Sequence, residues 1–419
     1  MRRVAITGFG VVSPVGIGRE AFWDALAAGR SGIAPITRFD CSAFAVRLAG
    51  EVKQRLDLPP AGLPRRRDAA ALAAQDPKVG FGYAACAEAL AAAGIGRFTP
   101  GTLLHAGVSL EIFDMEKAIC GGRPNFRTIA ERSLKPGAPP LQIPLDSAAA
   151  LLARRFGRPG RSLTNCSACA AGAQAIGHGF RNVRAGRCDV AVCGGLDSMI
   201  NPLGVGGFQM LGALTTDNAR GALACRPFDA LRAGTVLGEG AAFAVLEPLD
   251  TARVEGKGVL AEVCGYGSTF DAWNLSAPDP DGDGAARAMQ AALDDACIRP
   301  EQVGHINAHG TGTRANDEIE ARAIRRVFAG SWERIPVSAT KSMTGHMIAA
   351  AGAAEAGACL LPLVRGLMPP NPSLERVGQG CELAHVTGAA MPFGGEYVLT
   401  NSFGFGGQNA ALILRRCDG

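Results

Sequence analysis

The chain has 419 residues, too many for one small core; at about 100–200 residues per domain it predicts two domains or one large duplicated unit. Apolar residues make up 47% and charged residues 19%, which supplies a buried core and excludes a disordered or fibrous chain. A formal charge of only +4 with 6% aromatic residues offers neither the basic field nor the stacking surface of a nucleic-acid binder.

In chain order, VAITGFGVVSPVG from Val4 reads as a buried strand rather than an export signal, because Gly8, Gly10 and Pro14 interrupt it. Without such a signal, the 13 cysteines are read as reduced thiols and the chain as cytoplasmic. REAFWDALAAG from Arg19 reads as a helix closed by Gly29. The Pro-rich basic stretch ending in Arg65, Arg66 and Arg67 reads as a surface excursion, and residues 120–145 read as loop. A helix is expected in PKVGFGYAACAEALAAAGI. RSLTNCSA then reads as a strand that includes Cys166, AAGAQAIGHGFRNVRAG as a helix and CDVAVCGG as a second strand, a parallel crossover unit. GAAFAVLEPL and KGVLAEVCGYGST are strand-like, and GAARAMQAALDDACI is helical. VGHINAHGTG and RIPVSATKS each run from strand into loop, and EYVLTNSFGFGGQNAALILRR reads as two strands around a Gly-rich turn. The apolar stretch from Met347 carries Glu355 in its middle and is read as a buried helix, not a membrane span. The class is α/β, with no repeat visible by eye and a boundary placed near residue 250, giving 1–250 and 251–419.

Cys169 follows a strand at a helix start, among Ala168, Ala170, Ala171 and Gly172. A helix N-terminus favours thiolate and offers unpaired N–H groups to an oxyanion. Cys166 and Cys169 also form a Cys-x-x-Cys pair, but zinc needs two further ligands and Cys188 and Cys193 do not supply a second such pair. Two of six histidines, His309 and His346, sit in Gly/Thr-rich strand-end loops, where α/β proteins place their chemistry. Two neutral imidazoles beside one thiol suit acyl transfer with enolate stabilisation. Lys341 and Glu355 are expected to pair in support of the histidines, because either alone would be costly in a buried helix. Phe403 and Phe405 lie in a Gly-rich turn that lets backbone approach a ligand.

Taken together, VAITGFGVVSPVG, SACAAG, PLGVGGFQMLGALTT, INAHGTGT, VSATKSMTGHMIAAAGAAEA and TNSFGFGGQN resemble the elongating β-ketoacyl-[acyl-carrier-protein] synthases of the thiolase-like superfamily, over nearly the whole chain. The resemblance implies a five-layered α-β-α-β-α sandwich of two duplicated halves, the first carrying the cysteine and the second the histidines. It implies a decarboxylative condensation of an acyl chain on Cys169 with malonyl-[acyl-carrier protein], giving a 3-ketoacyl product in fatty-acid or polyketide synthesis. On it, His309 and His346 bind the malonyl thioester and Lys341 supports them. Phe403 is the gate, and its N–H completes the oxyanion hole with that of Cys169. Phe208 and Leu110 line the acyl pocket, and Ser276, Thr311 and Thr313 lie near the pantetheine arm or malonyl carboxylate. It implies no metal and no tightly bound cofactor, an acyl carrier protein as partner docking at Arg65–Arg67, and a homodimer or a heterodimer with a related subunit.

The bulky Leu110–Phe113 run, Ala233 and Thr235 depart from the family pattern. A thiolase acting on coenzyme A thioesters needs a late catalytic cysteine that is not evident here, and a non-catalytic chain-length-factor-like subunit lacks the nucleophile that Cys169 provides.

Overall fold

The computed structural model describes residues 1–54, 56, 76–109, 119–120, 123–124, 127, 131 and 144–417. Arg65, Arg66, Arg67 and Leu110–Phe113 lie outside the described residues.

Setting short excursions aside, the first half runs β1 (Val4–Ser13), α1 (Pro77–Ala92), β2 (Thr102–Gly107), α2 (Ser147–Phe156), β3 (Arg161–Asn165), α3 (Ala171–Arg184), β4 (Val190–Ser198) and β5 (Glu239–Pro248). The second runs β6 (Ala261–Phe270), α4 (Asp283–Ala296), β7 (Val303–Asn307), α5 (Arg314–Val327), β8 (Pro336–Ser338), α6 (Ala351–Arg365), β9 (Tyr397–Gly404) and β10 (Gln408–Arg415). Element for element the succession repeats. So does the pairing. Across the first half the strands lie β3-β2-β4-β5-β1, and across the second β8-β7-β9-β10-β6. In each, the first two contacts are parallel and the last two antiparallel. The halves meet where Val4–Ile6 of β1 pairs with Ala261–Val263 of β6.

Successive residues of a strand face opposite sides, so each sheet feeds two apolar layers. Ala241, Phe243 and Val245 of β5 join the layer under α1 and α2, while Ala242, Ala244 and Leu246 face α3 and α6. On β10, Ala411 and Ile413 face the layer of α4, and Ala410, Leu412 and Leu414 face the middle. Outer helices, sheet, the α3–α6 layer, sheet and outer helices make five layers. The outer helices lie directly on the first strand of each sheet. A Cβ on Gly8 or Gly10 would fall 2.1 Å from the Ala89 or Ala85 carbonyl of α1. One on Gly265 or Gly267 would fall 2.2 or 1.9 Å from the Ala292 or Ala288 carbonyl of α4.

Local signals set the ends. Asp76 caps α1 by accepting from the Lys78 N–H, with Pro77 in the first turn, and Thr313 caps α5 by accepting from Asn316. Among the described residues one helical stretch, Ile348–Arg365, is long and apolar enough to cross a membrane, and 89% of it is buried inside the protein. Cys166 lies beyond β3 rather than within it, because the pairing with β2 ends at Gly107–Asn165.

Candidate active site

In each half a candidate residue, Cys169 or His346, stands at the junction between the third strand and the helix that follows. In the first half β3 leads through a single 3-10 turn, Ala168–Ala170, into α3, and Cys169 is the middle residue of that turn. In the second, β8 leads through Lys341–Thr344 and His346 to the turn Ile348–Ala350 and α6. His309 stands in the loop after β7, on the strand next to β8. The two middle-layer helices cross closely enough that a Cβ on Gly172 would lie 2.9 Å from the Ala353 nitrogen, and one on Gly352 would lie 2.9 Å from the Ala173 nitrogen.

That crossing brings the His346 Nε2 to 3.0 Å from the Cys169 sulfur. The His309 and His346 rings are 5.3 Å apart, centroid to centroid, and meet edge to face. All three side chains are buried. Lys341 bonds Glu355 through its ammonium and also donates to the His309 carbonyl at 2.6 Å and to His309 Nδ1 at 3.2 Å. An ammonium only donates, so Nδ1 accepts and the proton of His309 sits on Nε2. Glu320 fixes the loop by accepting from the His309 and Gly310 N–H groups at 2.7 and 2.8 Å. His346 is strapped from the backbone: its N–H donates to Val236 and its carbonyl accepts from Gly238.

Burial controls the charges. It pushes both imidazoles well below their ordinary titration range, with the Lys341 cation adding to the effect, so both are neutral. The expectation of a resting thiolate fails. Burial raises the Cys169 thiol to about 11, outweighing Lys341 and the Phe405 backbone N–H, which pull it down. The resting group is a thiol beside a neutral imidazole.

The Phe403 assignment is corrected as well. The backbone N–H directed at the Cys169 sulfur belongs to Phe405, which follows β9 in a short turn. The Phe403 ring, still on the strand, packs against His309 at 5.9 Å. The Phe405 ring lies 6.0 Å from Phe208 instead.

A cavity of about 450 Å³ opens on the sulfur and is lined by His309, His346, Phe208, Phe403, Phe405, Thr311 and Thr313, with Ala233 and Thr235 on one wall. Ser276 is on the same lining but exposed. Cys166 is exposed and donates to the Ser109 carbonyl at 2.8 Å. Among the described residues the potential metal ligands that converge are Cys169, His309 and His346, whose donor atoms lie within 4.8 Å of one another. The proton on His309 Nε2 makes that nitrogen a donor rather than a ligand. Sequence reasoning singled out Phe405 but gave its role to Phe403, and it missed Glu320 and Asp197, a wholly buried acid at the end of β4. The signal for Asp197 was present as a carboxylate ending an apolar strand run.

A duplicated α/β sandwich with a buried thiol and two neutral histidines at its central helix crossing defines a thiolase-like acyltransferase. The family model for the β-ketoacyl synthase N-terminal domain matches residues 1–252, and that for the C-terminal domain matches residues 260–375. Relatives include the 3-oxoacyl-[acyl-carrier-protein] synthase 2 of Coxiella burnetii, 38% identical over 99% of both chains, and that of Synechocystis, 36% identical over 99% of this chain and 98% of the other. Among solved structures, a β-ketoacyl synthase from Burkholderia phymatum superposes with a TM-score of 0.87 at 32% identity over the whole of both chains. The ishigamide ketosynthase/chain length factor does so at 0.85 and 33%, again over both whole chains. The chain belongs to the β-ketoacyl synthase family, and it is an acyltransferase that performs a decarboxylative Claisen condensation in fatty-acid or polyketide synthesis.

Proposed function

We propose that Cys169 is the acylated nucleophile, that His346 takes its proton, and that His309 holds the extender unit's thioester carbonyl. The 3.0 Å contact between the Cys169 sulfur and His346 Nε2, inside a cavity that also admits His309, carries this reading. An acyl chain arrives as a phosphopantetheine thioester on an acyl carrier protein. The thiol gives its proton to His346 Nε2 as sulfur attacks the acyl carbon. The oxyanion is held by the N–H groups of Cys169 and Phe405. Collapse expels the pantetheine thiolate, which takes the proton back. Malonyl thioester then enters, and His309 Nε2–H donates to its carbonyl. Loss of carbon dioxide leaves an enolate whose carbon attacks the acyl-Cys169 carbonyl. The carbon–sulfur bond breaks, releasing a 3-ketoacyl thioester two carbons longer, and the Cys169 thiolate left behind takes a proton from solvent to restore the resting thiol. Lys341 and Glu355 hold His309 in its donor tautomer. The arriving thioester supplies the pantetheine, so no tightly bound cofactor is required.

Phe405 and Phe208 gate the acyl pocket, while Thr311, Thr313 and Ser276 receive the pantetheine arm. A basic run at Arg65–Arg67 suits an anionic carrier protein. β3 is the outermost strand of its half, and its exposed Arg161–Leu163 edge suits a second, similarly folded chain, whether a like or a related subunit. Reduced thiols and a buried apolar helix fit a cytoplasmic enzyme.

The test is to incubate the protein with a panel of acyl-carrier proteins and weigh the adduct. Loading is expected on Cys169, retained in Cys166→Ala and lost in Cys169→Ala; loading of Cys169→Ala would overturn the choice of nucleophile. Replacing Arg66 and Arg67 by Glu is expected to raise KM for carrier-bound substrate and spare a small thioester mimic. Equal loss on both counts against docking there.

A further inference from the structure

The repeat extends to single residues. Ala168, Cys169, Ala170, Ala171, Gly172 and Ala173 at the start of α3 correspond to Ile348, Ala349, Ala350, Ala351, Gly352 and Ala353 at the start of α6. Both turns open on a non-glycine residue with positive φ, Ala168 at 47° and Ile348 at 44°. A β-branched residue is strained there, so the surroundings must hold it in place. Each turn therefore presents a backbone N–H of the kind that binds an anion, Cys169 in one half and Ala349 in the other.

What faces the two N–H groups differs. Beside the Cys169 nitrogen lies Gly404, where even a Cβ would come within 3.1 Å, and that turn opens to the cavity. The Ala349 N–H donates at 2.9 Å to Oδ2 of Asp197, whose Oδ1 accepts from Ser198 at 2.8 Å. Asp197 is wholly buried, Ala349 stands three positions after His346, and the Ala349 carbonyl packs on Gly195 of the same strand, 2.2 Å from where its Cβ would stand. One nest is left open for the reacting oxygen and the other is filled by a side chain.

We propose that Asp197 is a positioning residue for the condensation: its carboxylate is the resident anion of the second nest and pins the turn that sets His346 against Cys169. The inference rests on the acyl-transfer reading of the site. Removing the carboxylate lets the strained Ile348 turn relax and carries His346 away from the sulfur. Asp197 also acts on Cys169 through charge. It raises the thiol together with burial and Glu355, against Lys341 and the Phe405 N–H, with neutral His346 and His309 as the remaining titratable neighbours. Asp197 itself is raised to about 6 by burial, with Lys78, Ser109 and the Ala349 and Ser198 N–H groups drawing it down.

The experiment compares wild type, Asp197→Asn and Asp197→Ala as full-length chains. Three quantities are measured: acyl loading of Cys169, kcat and KM for malonyl-thioester decarboxylation, and the pH dependence of Cys169 alkylation by iodoacetamide. Asp197→Ala is expected to lower kcat by roughly 10- to 100-fold, the scale of a small misplacement, with KM little changed. Asp197→Asn keeps the shape and loses the charge, so it should lose less kcat while the alkylation midpoint moves to lower pH. A purely structural role would lower the melting temperature and leave the midpoint and the kcat-to-KM split unmoved. Wild-type kcat and a wild-type alkylation profile in Asp197→Asn overturn the proposal, and a folding failure of Asp197→Ala leaves that variant decisive. Failure of the wild type to load Cys169 would instead sink the reaction reading itself.

Discussion

The two halves share one backbone plan and spend it on opposite environments. Around Cys169 the first half is apolar: Met199, Ile200, Val205 and Leu214 pack there, with Phe208 partly buried beside them and Phe405 reaching in from the second half. Around His309 the second half is polar and densely bonded. Glu320 and Asp317 hold successive N–H groups of the His309 loop, and Lys341 bridges His309 to Glu355. The first half thus offers an apolar chamber in which burial keeps the thiol neutral, an environment that under the proposed reaction suits an acyl tail. The second offers a fixed lattice of hydrogen bonds around His309, which under the proposed reaction need not reorganise when charge develops on an extender unit. Duplication supplied the geometry twice, and divergence divided the labour.

Substitutions break that division in order of severity. Cys169→Ala is expected to abolish condensation to within the background of about 1000-fold loss or more, seen as absence of the acyl adduct. His309→Ala should slow carbon dioxide release by about 100- to 1000-fold, within the range of a lost acid–base group, yet still load acyl chains within about tenfold. Equal loss of both half-reactions would show that the halves do not divide the work as argued. Lys341→Ala leaves Glu355 buried without its cation and should cost about 3–5 kcal/mol in denaturant unfolding. Pairing Lys341→Met with Glu355→Leu should restore the stability and not the decarboxylation. Gly172→Ala and Gly352→Ala, on opposite sides of the helix crossing, should each cost about 1–3 kcal/mol by overpacking; a large difference between them sharpens which helix can shift. For pH, a thiol raised to about 11 is protonated below that value. Alkylation of Cys169 should therefore keep accelerating through pH 9, where an ordinary thiol near 8.5 levels off.

The alternation of strands and helices was legible from β-branched runs, Gly stops and helical spacing, and the three side chains that meet at the cavity stood out by residue type and loop context. The duplication did not stand out, because little more than a few small residues repeat. Gly8 and Gly10 answer to Gly265 and Gly267, and Gly172 answers to Gly352, since those positions touch backbone and admit nothing larger. Choosing between Phe403 and Phe405 required knowing where β9 ends and the chain turns, with Gly406 at φ 75°, which two phenylalanines among glycines do not disclose. The thiol's charge state failed for a related reason: the helix end is visible in sequence, whereas the depth of burial that overrides it is a property of the assembled layers.

The sharing of the middle layer has a consequence for biogenesis. The inward face of α3 packs on α6, which is made some 170 residues later. As the polypeptide leaves the ribosome, the leading half emerges with an apolar helix and one side of its sheet bare until the trailing half is synthesised, a state prone to self-association. Chaperone capture during translation, and insolubility of a fragment ending near residue 250, follow from an architecture in which neither copy completes its own interior.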